Sequence, residues 1–190
     1  MAVSLLAYVV TLFVFLCNYG LTLSSILFPK WLTFVTPVPF YMETNYGLFK
    51  LCRSLTRECR SFPSVDHGDC QEDGFCELWR AASAGMILSA VVGALAIMAL
   101  FVTLCSQRRK RSKAWAPISF LFILYALPQA LSMGIIAYLF NSSATFYMGT
   151  RYNISFIFCI ISWILSVILA IVLCLVAILS PPEYVYHALD

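Results

Sequence analysis

Charge is missing from long stretches of this sequence. No Asp, Glu, Lys or Arg occurs in residues 1–29, 81–107, 114–150 or 152–182. Charged residues make up 11% of the chain and hydrophobic residues 62%, against roughly 25% charged in an ordinary soluble protein. A water-soluble domain cannot hide that much apolar surface, so the bilayer must act as its solvent. A helix needs about 20 apolar residues to cross the hydrocarbon core, and each charge-free run is long enough. The third carries its own polar break at Asn141-Ser142-Ser143-Ala144-Thr145. The fold class predicted is a membrane α-helical, four-helix bundle.

Catalytic furniture is also scarce. The two histidines, His67 and His187, fall on opposite sides of the membrane in this topology. No G-x-S-x-G, H-E-x-x-H or Gly-rich phosphate cradle occurs, and the paired Glu72-Asp73 reads as solvated surface. The sequence therefore predicts no enzyme, no cofactor and no catalytic residue. Ionisable residues are absent from the spans away from their edges, which argues against proton- or ion-coupled transport. No Lys or Arg precedes the first apolar run, no A-x-A site follows it, and it exceeds the 7–15 residues of a signal h-region. It is expected to be a retained first span.

What charge there is falls into place around the spans. Arg108, Arg109, Lys110, Arg111 and Lys113 form a cluster with no acid among them. The positive-inside rule puts that loop in the cytosol, and with four spans both termini join it. Anionic lipid headgroups are its natural contact; it is too short and too close to the membrane for nucleic acid. Spans are expected at about 3–27, 80–105, 117–140 and 154–179. They leave an extracellular loop 28–79, a cytosolic loop 106–116, a second outer loop 141–153 and a cytosolic tail 180–190. Trp31 beside Lys30 suits the headgroup layer. Pro117 falls in a first turn, Pro128 is expected to kink the third span, and Ser180-Pro181-Pro182 stops the fourth.

The first loop holds Cys52, Cys59, Cys70 and Cys76. An even number of cysteines on the oxidising side predicts a disulfide framework, and four allow three pairings. A metal site is disfavoured, since no C-x2-C pair exists and His67 is the one nearby imidazole. Residues 31–36 and 46–52 are expected as strands, with Pro37 and Pro39 marking a connection between them. Asn141 and Asn153 head two N-x-S sequons in the second loop, as candidate glycan acceptors.

Inside the membrane, Ala81, Gly85, Ser89 and Gly93 recur at every fourth position. Small residues so spaced let helices approach closely, within this bundle or, as the alternative, against a second copy. Asn18 and Gln129 are expected to hydrogen-bond neighbouring helices. Cys17, Cys159 and Cys174 are expected as packing residues; Cys105, next to the basic loop, is a free thiol or a palmitoylation site.

Trp31, then Gly47-Leu48-Phe49, then Cys52 and Cys59 resemble the W…G-L-W-x2-C…C signature of the claudin superfamily. That group embraces claudins, peripheral myelin protein and its relatives, calcium-channel gamma subunits and fungal four-span proteins. Arg80, at the mouth of span two, matches a basic position common among them. The resemblance covers the topology of the whole chain. Tetraspanins place the large loop elsewhere, and connexins need cysteines in the second outer loop. Phe49 stands where the signature has Trp, the Cys52–Cys59 interval is short, and Cys70 and Cys76 are additional. These departures point to a divergent member, in the direction of the fungal relatives, rather than a tight-junction claudin.

The resemblance implies a small extracellular sheet with a Cys52–Cys59 bridge between adjacent strands, and Cys70–Cys76 as the remaining pair. It implies a plasma-membrane protein with a structural or interaction role, meeting other membrane proteins or itself through the outer loop or helix 2. The alternative is an auxiliary subunit of a channel or transporter. A pore or paracellular path is a third reading. The loop's charges are nearly balanced in sign, which gives no selectivity ring.

Overall fold

A computed structural model of the chain describes residues 5–36, 42–54, 56, 58–107, 111, 113–143, 145–146 and 149–179. Four long helices, α1 (Leu5–Leu27), α2 (Phe75–Cys105), α3 (Trp115–Ser142) and α4 (Ile154–Leu179), form the bundle. All four are long and apolar enough to cross a bilayer. Between α1 and α2 lie β1 (Leu32–Val35), β2 (Glu43–Tyr46), β3 (Lys50–Arg53) and β4 (Cys59–Ser61), and between α3 and α4 lies β5 (Arg151–Tyr152). These make one sheet in the order β4-β3-β2-β1-β5, with every pairing antiparallel. This is a multi-pass membrane protein with a small sheet at one end of its bundle.

The bundle's surface is inverted relative to that of a soluble protein. Phe13, Leu27, Met98, Val102, Leu131 and Leu179 are exposed, whereas Asn18, Thr22, Ser89, Gln129, Ser162 and Ser166 are fully buried. Lipid is as apolar as leucine, so helices gain little by hiding leucine from it; close packing and interhelical hydrogen bonds hold them together instead. Gly85 and Gly93 fit this rule. A Cβ on Gly85 would lie 2.5 Å from Ser132 Oγ of α3, and one on Gly93 2.7 Å from the rings of Tyr125 and Tyr19. Ser89 Oγ donates to Tyr125 O at 2.9 Å. The small residues therefore seat α3 and α1 against α2 within one chain. Ala81, the first of the series, is exposed.

Two boundaries differ from the sequence expectation. Helix α2 begins at Phe75 rather than near Arg80. Its 31 residues rise roughly 46 Å at about 1.5 Å per residue, well beyond a hydrocarbon core of about 30 Å. The extra turns run alongside the sheet, where Phe75 and Trp79 join the apolar cluster of Trp31, Leu32, Tyr46, Leu48, Leu51 and Phe62. Residues 46–52 are not one strand but the end of β2, a turn at Gly47-Leu48-Phe49, and the start of β3. Helix α3 is continuous through Pro128. Pro37 and Pro39 lie outside the described residues, as do Arg108, Arg109 and Lys110 of the basic cluster.

Candidate functional site: a disulfide-stapled sheet on the bundle

The sheet is built on two faces by strict alternation. Register sets Thr33, Asn45, Cys52 and Cys59 in one row across β1–β4. The row of Leu32, Tyr46 and Leu51 alternates with it on the opposite face and enters the apolar cluster over the bundle. Cys52 and Cys59 are direct cross-strand partners with Cα atoms 4.1 Å apart, and they are bonded. The second bridge joins Cys70 to Cys76, tying the loop after β4 to the first turn of α2. Chain-entropy reasoning gives the shorter unfolded-state loops so closed a stabilisation of roughly 2–3 kcal/mol each.

The signature residues sit where sheet and bundle meet. Trp31 is completely buried; its indole N–H donates to Ser25 O of α1 at 2.7 Å, and its ring stands edge-on to Phe156 of α4 at 5.7 Å. Gly47 N donates to Lys50 O at 2.8 Å, closing the turn. Leu48 is buried, and its carbonyl accepts from Trp79 Nε1 at 3.1 Å and Ser83 Oγ at 3.2 Å. Phe49 is exposed and shares a shallow concavity with Arg80, Pro63 and Ile87 at the sheet–bundle boundary. The sequence singled out neither Trp79 nor Phe62, which pack edge-on at 5.1 Å. Trp79 was hidden by its charged neighbours Glu77 and Arg80.

The second loop is bonded into the sheet rather than draped over it. Asn153 Nδ2 donates to Thr33 Oγ1 at 2.5 Å, Thr33 Oγ1 to Asn45 Oδ1 at 2.6 Å, and Asn45 Nδ2 to Glu43 Oε1 at 2.9 Å. Asn153 Oδ1 also accepts from Ile154 N at 2.7 Å, as the cap of α4. Its amide nitrogen is thus engaged, whereas Asn141 is exposed and, among the described residues, donates to Ala137 O in its own helix. Glu72, between the second pair of cysteines, accepts from Ser143 and from Thr145.

On the face that carries the Leu32, Tyr46 and Leu51 row, the sheet and the 67–72 segment border an open cavity of about 950 Å³. Phe34, Met42, Tyr46 and Leu51 give it an apolar floor, and Arg53, Arg60, Asp69 and Glu72 a charged rim. Arg60 and Asp69 pair through two nitrogens at 2.5 and 2.6 Å, and Ser64 N donates to the same carboxylate at 3.0 Å. Burial pushes the Asp69 carboxyl upward, but the Arg60 guanidinium and the Ser64 N–H outweigh it and hold the group below its ordinary value. A carboxyl depressed in the fold contributes stability that is complete above its unfolded value, near 4, and fades as pH falls through the lower folded value. The destabilisation caused by Asp69→Asn is therefore expected to shrink as thermal melts descend from pH 6 to pH 2. A pH-independent gap between variant and wild type would show that the pair contributes nothing.

Among the described residues no three His, Cys, Asp or Glu side chains gather as a metal site requires. The chain matches no protein-family model and no curated protein.

Proposed function

We propose that this is a claudin-like protein of the plasma membrane with a structural and interaction role, and that the stapled sheet is the surface that meets its partners. The observation that carries this reading is the fixing of the sheet at every side. Two disulfides, the Trp31 and Trp79 anchors and the Asn153–Thr33–Asn45–Glu43 relay hold it on the bundle. A platform already rigid loses little entropy on binding. Its rimmed cavity offers an apolar floor with charges of both signs to a protein partner. Both termini and the basic cluster face the cytosol, the basic cluster touches anionic headgroups, and Asn141 is the open glycan acceptor.

Affinity purification of the full chain in mild detergent tests the reading. Co-elution of further copies, or of cortex or wall proteins, supports it. A stoichiometric multi-span channel would instead assign the auxiliary-subunit role, and a monomer eluting alone would defeat both. Conduction through a single bundle gains no support from a core closed by the Phe15–Phe122 stack, centroids 4.5 Å apart.

Orientation is checked separately. Protease added to intact cells is expected to spare Arg108–Lys113 and, after reduction, to cut between Arg53 and Arg60. Cleavage confined to the basic cluster would reverse the topology and remove the oxidising side from the four cysteines.

A further inference from the structure

We infer that the notch between the edge of the sheet and the flank of α2 seats a phospholipid of the sheet-side leaflet. Its phosphate rests on Arg80 and the upper part of an acyl chain runs along Ala84 and Ile87. The notch holds about 290 Å³. Phe49 and Pro63 wall it on the sheet side, and Arg80, Ala84 and Ile87 on the helix side. Arg80 is the one charged group among its lining residues. The hydroxyl of Ser83, which also lines it, is already engaged with Leu48 O and Trp79 O.

Counting along α2 places the notch at the membrane surface. The helix ends at Cys105, just short of the basic cluster that begins at Arg108. A hydrocarbon core of about 30 Å takes roughly 20 residues at ~1.5 Å each. Measured back from Leu104, those residues reach Gly85. Arg80 then stands ~7 Å beyond the core, in the headgroup layer that adds about 5–7 Å to each side. Ile87 and Leu88 lie within the core, and both are exposed, as lipid-facing side chains must be. The notch therefore opens onto hydrocarbon below and headgroups above. The leaflet is defined by the sheet alone and does not depend on which compartment the sheet faces.

The occupant follows from charge. Arg80 is exposed, and its guanidinium makes no hydrogen bond or ion pair with any described residue. Glu77, one turn away on α2, forms no ion pair with it. A cation at the edge of hydrocarbon is costly to leave without a counter-ion. Side chains of a helix lean towards its N-terminus, which for α2 is the sheet side, so Arg80 carries its charge towards the headgroups. Phosphodiester oxygens are what that layer offers, and the planar guanidinium fork matches them two at a time. Phe49, exposed on the sheet, gains apolar cover when a chain lies in the notch. A sterol brings one hydroxyl and no charge to Arg80, and a free phosphate brings nothing to the apolar walls.

Photocrosslinking of the full chain in phosphatidylcholine nanodiscs is the test. A trace of phosphatidylcholine carries a diazirine near the top of one acyl chain, and adducts are mapped by mass spectrometry. The peptides holding Phe49 and Ile87 are expected to carry at least fivefold more adduct than the one holding Tyr138, which is exposed near the sheet end of α3. Arg80→Gln should lower the notch adducts at least fivefold and leave those at Tyr138 unchanged, while Arg80→Lys, which keeps the charge, should retain more of them. The wild-type chain alone supplies a second arm. A diazirine diacylglycerol with the same chains and no phosphate should label the notch at least fivefold less than phosphatidylcholine does. Equal labelling by the two lipids, or by wild type and a folded Arg80→Gln chain, would overturn the inference by reducing the notch to ordinary boundary lipid. Preferential labelling by a diazirine sterol would overturn it too, by assigning the notch to an uncharged ligand.

Discussion

Trp31→Ala is expected to lower the stability of the folded chain by about 3–5 kcal/mol, the range for removing a buried aromatic ring. Against a usual total of about 5–15 kcal/mol, that is a third or more of what a typical domain has. The size follows from three connections made by one residue. Its ring fills fully buried space between the sheet and α4. Its indole N–H satisfies Ser25 O, one of the last-turn carbonyls of α1 that no helical N–H can reach. Its backbone joins the sheet, with Trp31 N donating to Tyr46 O at 2.9 Å and Trp31 O accepting from Asn153 N at 3.0 Å. Alanine keeps only the backbone part. Trp31→Phe keeps most of the ring and loses the bond to Ser25, so a smaller loss of about 1–3 kcal/mol is expected. Thermal reactivity of the buried Cys159 thiol in detergent reports the unfolding. If Trp31→Ala melts within 1 °C of wild type, Trp31 does not anchor the sheet.

The four spans were legible because charge is excluded from lipid at high cost, so its absence over a full bilayer length has few other causes. The start of α2 was not legible for the complementary reason. Past the bilayer a helix can carry Glu77 and Arg80 on its exposed side while Phe75 and Trp79 pack inward, and charge density no longer marks its end. Alternation through residues 46–52 concealed a turn, since Tyr46 and Leu51 both enter the same apolar cluster from different strands. Gly47 was visible as part of a signature, without the reason for it. Asn18 and Gln129 stood out because amides are rare in spans. Their partners Ser166 and Ser89 did not, because a single serine in a helix says nothing about which neighbour it faces. The rimmed cavity draws on strands β1 to β4, the 67–72 segment and Thr145, and no contiguous stretch of sequence carries its outline.

Gly47→Ala should be the most damaging single-methyl change among the glycines. A Cβ there would lie 2.5 Å from Pro29 Cα and 2.9 Å from Lys50 O. Both obstacles include backbone, so no rotamer change relieves them. Pro29 begins the link from α1 to β1, and Lys50 O accepts the bond from Gly47 N that closes the β2–β3 turn. Moving either displaces Leu48, whose carbonyl receives Trp79 and Ser83, and the sheet lifts from α2. Overpacking a tight site costs about 1–3 kcal/mol, occasionally more, and the upper part of that range is expected. Gly93→Ala meets only ring edges of Tyr125 and Tyr19, which can yield in part, so its loss should be smaller. Gly20→Ala supplies the opposite sign. Nothing lies within 4 Å of a Cβ at that position in α1, and exchanging glycine for alanine in a helix interior gains roughly 0.5–1 kcal/mol. Melting the three variants side by side in one detergent checks the order. A Gly47→Ala protein as stable as the Gly20→Ala one would mean that the turn does not rest on Pro29, and that the glycine of the signature is there for some reason other than close approach.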